Sequence, residues 1–180
     1  LTTPGALGGE GADKKAAVAL AMNHFGVSEA DLKKVLAAAL EKGGDYADLF
    51  FEHTISNSIR LMDGAVNNSY SNIDYGVGVR VLIGDQSGYA YVENITVEDM
   101  LKAARTAARI ASANKGNKPL NLTEKELKKN YYTVASPWEE VSLKDKMPYL
   151  QKLNDRIFAL DKRVHKVQAS QSDTTSHIFF

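Results

Sequence analysis

The sequence predicts an α+β fold: an antiparallel β-meander of about five strands packed by helices, followed by a further helix and β-hairpin. Three observations predict it. Apolar residues recur at helical spacing behind three Ser/Thr-x-x-Asp starts, at Ser28, Thr96 and Ser142. Apolar and polar residues alternate at period two in the stretch that begins at Tyr46 and again from Asp74. Asp63-Gly64 and the segment from Gly84 to Gly88 supply turns between those runs.

Taken in order, residues 1–12 are rich in Gly, Thr and Pro and read as a flexible lead-in. Residues 13–113 form a first α+β segment. A helix is expected from Asp13 to Phe25, with Ala17, Leu20, Ala21 and Phe25 on one face. A stronger one starts at Ser28, where Asp31 completes a capping box and Leu32, Val35, Leu36, Ala39 and Leu40 follow the period. Gly43-Gly44 ends it, because glycine adopts the left-handed conformation that a helix terminus takes.

Period two then begins. Ala47, Leu49 and Phe51 alternate with Asp48, Phe50 and Glu52 in a strand from Tyr46 to Ile55, and Ser58 to Met62 reads as a second. After the turn at Asp63-Gly64, Ala65 to Ser71 returns. Asp74 to Ile83 is a further strand with its valines on one face, and Tyr89 to Val92 pairs back. Thr96 and Asp99 cap the next helix, whose apolar face of Met100, Leu101, Ala104, Ala107, Ala108 and Ala111 is small enough for close docking on a sheet.

Residues 114–141 read as a polar linker, basic as far as Lys129. Residues 142–180 hold the last helix, with Met147, Leu150, Leu153, Ile157 and Leu160 at helical spacing. A hairpin of Val164 to Gln171 and Ser176 to Phe180 follows, turning at Ser172-Asp173-Thr174. The closing Ile178-Phe179-Phe180 reads as the middle of a buried strand, so a longer parent protein is expected.

Composition excludes several functions. Lys plus Arg and Asp plus Glu number 22 each in 180 residues, and this balance argues against nucleic-acid binding. With no Cys there is no disulfide, thiolate nucleophile or Cys-based zinc site. No apolar run approaches the ~20 residues that span a bilayer.

Enzyme signatures are missing. The glycines in Asp74-Tyr75-Gly76-Val77-Gly78-Val79 lie inside a strand, whereas a dinucleotide loop needs a strand-to-helix turn. Gly76 and Gly78 instead leave room for another backbone or a helix to approach. No two of His24, His53, His165 and His177 have helical zinc-pair spacing. A site assembled in space from His53, His165 and His177 stays open, though surface or strand-edge roles are favoured. Arg80 has the fork to hold a substrate or partner carboxylate, and a cross-strand pair with Asp or Glu is favoured over that. Asp48 and Glu52 stand ~13 Å apart on one strand, too far for paired-carboxylate hydrolysis. Lys115, Lys118, Lys125, Lys128 and Lys129 with Tyr131-Tyr132 resemble a basic aromatic patch, but Glu124 and Glu126 interrupt it. Three Asn-x-Ser/Thr sequences start at Asn67, Asn94 and Asn121 and matter only in a secreted eukaryotic protein.

Read as a series, the residues resemble the N-terminal region of the TldD/PmbA family. The segments are Gly43-Gly44-Asp45-Tyr46-Ala47-Asp48, Ile59-Arg60-Leu61-Met62-Asp63-Gly64 and Asp74-Tyr75-Gly76-Val77-Gly78-Val79-Arg80-Val81. Ser87-Gly88-Tyr89-Ala90-Tyr91 and Thr96-Val97-Glu98-Asp99-Met100 complete the order.

The resemblance implies a zinc metallopeptidase, once called a modulator of DNA gyrase, that works on unfolded peptides inside a chamber. It implies a second TldD/PmbA-like subunit as partner, in a heterodimer or homodimer, and a bacterial cytoplasm as location. An exported form is the alternative, with a signal removed before Leu1. The family's zinc ligands lie on a His-Glu-x-x-x-His helix and a later Cys, neither of which occurs here. No catalytic, cofactor-binding or metal residue is therefore carried over to this chain. The positions that carry over are structural: Asp63, Gly64, Gly76, Gly78, Arg80 and Gly88. The competing expectation is a stand-alone interaction module without enzymatic activity.

Overall fold

The structure, a computed structural model, describes residues 10–111 and 136–180, with side chains from Val18 onward. The elements are α1 (Glu10–Phe25), α2 (Glu29–Leu40), β1 (Tyr46–Met62), β2 (Ala65–Ile83), β3 (Gln86–Val92), α3 (Val97–Ala111), α4 (Leu143–Leu160) and β4 (Gln168–Phe179). A short 3-10 turn, Trp138–Glu140, precedes α4. The four strands form one sheet in the order β3-β2-β1-β4. This is the expected α+β class. The basic aromatic stretch, the Asn121 sequence and most of the lead-in and linker lie outside the described residues.

Fewer, longer strands replace the expected ones. Residues 46–55 and 58–62 run together as β1, and 65–71 and 74–83 as β2. The hairpin between them explains the continuity. Asp63 (φ 51°) and Gly64 (φ 81°) are both left-handed, as a two-residue type I′ turn requires, so its twist matches that of the flanking strands. The ladder then propagates through Ser56-Asn57 and Ser71-Asn72, whose polar side chains stand at positions that do not need burial. The next turn is tighter than expected. Ile83 pairs with Gln86, leaving only Gly84-Asp85 between the strands, and Gly84 alone is left-handed (φ 51°), the pattern of a type II′ turn.

The segment expected to turn at Ser172-Asp173-Thr174 also runs straight, as β4. Its side chains meet β1 in antiparallel register: Thr54 Oγ1 donates to Ser176 Oγ at 2.9 Å, and Asn57 Nδ2 to Asp173 Oδ1 at 3.0 Å. At the hairpin tip Asp63 closes the register with two bonds to one residue. Its amide donates to Val167 O at 2.9 Å, and its Oδ1 accepts from Val167 N at 2.8 Å.

The described chain divides into two compact units. The first comprises residues 10–52, 75–111 and 178–180; the second comprises 53–74 and 136–177. In the first, α2 and α3 cover one sheet face. Phe51, Val77, Val79 and Val81 meet Val35, Ala39, Met100 and Ala104 there, all wholly withdrawn from water. Burial of each Val, Leu or Phe stabilises by about 1.5–3 kcal/mol. Alanines on α3 permit close approach. A Cβ on Gly88 would lie 2.0 Å from Ala107 O, so β3 and the helix backbone touch where a side chain cannot fit.

The second unit has a small apolar core of Ile59, Leu61, Leu150 and Ala169, with Met147 against it. The face that α4 buries is not the expected one. Lys146, Leu150 and Asn154 point inward, whereas Leu153 and Leu160 are exposed. A buried ion pair turns the helix. Lys146 Nζ binds Asp173 Oδ2 at 2.7 Å, with the Trp138 ring 5.5 Å from the ammonium. All three predicted capping pairs form, at Ser28/Asp31, Thr96/Asp99 and Ser142/Asp145.

Candidate functional surface

Alternation in the first unit sends the core residues of the sheet one way and leaves a second face open. On that face β1 places Tyr46, Asp48 and Phe50, β2 places Gly76, Gly78 and Arg80, and β3 places Tyr89 and Tyr91. The aromatics are 43, 38, 54 and 46% exposed for Tyr46, Phe50, Tyr89 and Tyr91. Isolated apolar exposure is ordinary, but four aromatic rings on one sheet face form a contact surface.

The glycines shape this face. A Cβ on Gly78 would lie 2.3 Å from the Tyr89 hydroxyl oxygen, and one on Gly76 would lie 2.6 Å from that of Tyr91 and 2.5 Å from Val92 O. Each tyrosine therefore sets the hydroxyl end of its ring over a glycine of β2, and Tyr91 is pinned there as its hydroxyl donates to Tyr75 O at 2.9 Å. Space expected to admit a backbone or helix takes mainly these rings. The sequence signal was present, as two tyrosines spaced i, i+2 one strand away from two glycines spaced alike.

Arg80 takes the cross-strand role. Its Nε and Nη2 both donate to Asp48 Oδ2, at 2.9 and 2.5 Å. The Asp48 carboxylate raises the guanidinium's pKa further above its usual value. Asp48 is nearly buried, with its side chain 10% exposed, and it also bonds the Tyr46 hydroxyl. Burial first, and then this carboxylate, push the Tyr46 phenol above its ordinary value, so it remains a neutral donor. Tyr46, Asp48 and Arg80 thus form one hydrogen-bonded row that orients an aromatic surface. No nucleophile with an adjacent base lies in it.

The other singled-out positions lie elsewhere. Asp63 and Gly64 form the hairpin tip in the second unit, where Gly64 faces Gln151 and Asn154 of α4. Gly88 meets α3. Of the histidines, the rings of His53 and His177 stand 6.0 Å apart, and His177 Nε2 lies 3.1 Å from Glu139 Oε1. His165 is exposed ahead of β4. These residues do not fit a zinc site: among the described residues no three His, Cys, Asp or Glu side chains converge to hold a metal. Among them also, no helix is long and apolar enough to cross a membrane.

Known proteins resemble this chain in sequence and fold. Residues 47–111 match the PmbA/TldA metallopeptidase domain 1 family, a span that holds the whole open face except Tyr46. The chain is similar to the N-terminal region of the TldD/PmbA family. A TldD metalloprotease homologue of Haemophilus influenzae is 30% identical over 138 residues, which is 74% of this chain and 28% of that protein. One from Buchnera aphidicola of Acyrthosiphon pisum is 27% identical over 157 residues, 87% of this chain and 32% of that one. The chain thus spans less than a third of the length of these TldD relatives.

Solved structures agree in fold. A proposed modulator of DNA gyrase from Thermotoga maritima superposes with a TM-score of 0.54 at 19% identity, covering 82% of this chain and 35% of that one. TldE from Thermococcus kodakarensis does so with 0.53 at 18%, covering 83% and 34%.

Proposed function

We propose that this chain is the N-terminal, non-catalytic region of a TldD/PmbA-like metallopeptidase. The parent hydrolyses unfolded peptides with zinc held by residues outside this chain. This region shapes the chamber, helps admit peptide or joins the subunits. The observation that carries the reading is the match of residues 47–111 to a metallopeptidase first domain, in a chain that spans less than a third of its TldD relatives. The neutral charge and the aromatic open face support a polypeptide partner over nucleic acid. A bacterial cytoplasmic location fits the family, with export as the alternative.

Zinc analysis and a peptide-cleavage assay on the 180-residue chain test the reading. The expected result is neither stoichiometric zinc nor cleavage. One zinc per chain, or hydrolysis that a chelator abolishes, overturns it. The open aromatic face also favours a second reading, a stand-alone interaction module. A stop codon directly after Phe180 in the gene would select it.

A further inference from the structure

In the second unit β4 meets β1 largely through hydroxyls. Thr54 bonds Ser176, Ser56 bonds Thr174 and Ser58 bonds Ser172, at 2.9, 3.3 and 3.2 Å. These three rungs keep one antiparallel register, which Asn57 opposite Asp173 and Asp63 opposite Val167 share. Polar strands specify register weakly, because a hydroxyl bonds whichever hydroxyl it faces.

One slip is close to neutral for this sequence. Ser170, Ser172, Thr174 and Ser176 alternate along β4, four hydroxyls against the three of β1. Moving β4 by two residues pairs Thr54 with Thr174, Ser56 with Ser172 and Ser58 with Ser170, so every rung survives. Apolar neighbours survive as well: Leu61 exchanges Ala169 for Val167, Ile59 gains Ala169, and Phe179 leaves Phe51 for Leu49. The Asp63 carboxylate accepts from any backbone N–H, so that of His165 replaces that of Val167. The part-exposed contact of His177 with Glu139 is lost, which counts little. Other slips are excluded by packing. The opposite one sets Gln171 against Leu61 in the small core, and a one-residue slip turns every side chain to the wrong face.

A buried charge forbids the slip that packing permits. Lys146 and Asp173 are almost wholly withdrawn from water, and Asn57 holds the carboxylate oxygen that Lys146 leaves free. After the slip Gln171 stands in the place of Asp173, so the ammonium faces a neutral amide and the carboxylate lies opposite Ile55. Stranding a buried charge disfavours that arrangement by about a hundredfold or more. We propose that the Lys146–Asp173 pair is a register lock, which selects the pairing of β4 on β1 and adds little to stability once that pairing is made. The lock depends on no property of the parent enzyme.

Because the chain has no Cys, introduced thiol pairs report the register in the full 180 residues. Facing residues of an antiparallel pair stand about 4.5–5.5 Å apart at Cα, within disulfide reach, whereas diagonal neighbours at about 7–8 Å lie beyond it. S56C/T174C therefore closes in the observed register and S56C/S172C in the slipped one. With Lys146 and Asp173 intact, only S56C/T174C is expected to close under mild oxidation, about a hundredfold faster than S56C/S172C. Added to K146M/D173L, both thiol pairs are expected to close, at rates within about tenfold, while circular dichroism shows a folded chain. Q171D/D173Q moves the acid by two positions and keeps the charge, so it is expected to close S56C/S172C and leave S56C/T174C reduced. Closure of S56C/T174C alone in either background overturns the proposal. So does comparable closure of both pairs with Lys146 and Asp173 intact, or failure of K146M/D173L or Q171D/D173Q to fold.

Discussion

Lys146 Nζ lies 2.7 Å from Asp173 Oδ2, and the two side chains are 6 and 3% exposed. Asn57 Nδ2 takes the other carboxylate oxygen at 3.0 Å. A buried pair of this kind costs desolvation, so its net contribution is small, but breaking it strands a charge. Asp173→Ala is expected to destabilise by about 3–5 kcal/mol. Replacing both partners, as Lys146→Met with Asp173→Leu, is expected to cost far less. Urea unfolding of the singles and the double measures the difference.

Gly88 and Gly78 both lack room for a side chain, but the obstacles differ. At Gly88 it is the Ala107 carbonyl, with Ala111 N also within 2.8 Å; at Gly78 it is the outer end of the Tyr89 ring. A backbone cannot yield, whereas a half-exposed ring can swing toward solvent. Gly88→Ala is therefore expected to cost about 1–3 kcal/mol or more by prising α3 from β3. Gly78→Ala is expected to cost less and to shift Tyr89 fluorescence, which thermal unfolding and emission spectra check.

Asp48 governs the open face through Tyr46 as well as Arg80. Asp48→Asn is expected to move the Tyr46 phenol down toward its ordinary value of 10.0, leaving the larger contribution of burial in place. Ultraviolet titration reads this directly. Arg80→Ala removes a pair that is half exposed on the arginine side, so only a small loss of stability is expected. If parent assembly or peptide cleavage falls in Arg80→Ala while stability holds, the face is a working surface.

The helix starts set the acid behaviour. Asp31 and Asp145 are held below the ordinary aspartate value of 3.8 chiefly by the hydroxyls of Ser28 and Ser142, and Asp99 by Lys102 and then Thr96. A lowered folded-state value adds stability that is present above pH 3.8 and is lost as pH falls through the lowered values. Tm is expected to drop below that pH. Ser28→Ala with Ser142→Ala is expected to lower Tm at neutral pH and make the acid decline shallower.

Much of this fold can be read without coordinates, because capping boxes and turns are local chemistry. Ser28, Thr96 and Ser142 mark helix starts through bonds within three residues, and Asp63-Gly64 needs only positive φ. The readings that failed depended on distant partners. Asp173 between Ser172 and Thr174 has turn composition, and its partners from other elements, Asn57 of β1 and Lys146 of α4, make it a strand residue. The same partner puts Lys146 inside α4 where the apolar period favoured Leu153. Ser56-Asn57 and Ser71-Asn72 resembled breaks because their strand halves bury too little for alternation to show. On the open face, Arg80 was legible as a cross-strand charge, whereas the tyrosine rings over Gly76 and Gly78 depend on the register of β3.

Thr54 and Ser176 hydrogen-bond across 122 positions of sequence. During synthesis β1 emerges long before the strand that flanks it. At about 5–20 residues per second, its outer edge waits roughly 6–24 s on the ribosome before β4 exists. A chaperone that shields extended nascent segments would therefore have its longest engagement here. Slowing translation between α3 and α4 should lower the yield of native chain more than slowing it anywhere inside the first hairpin.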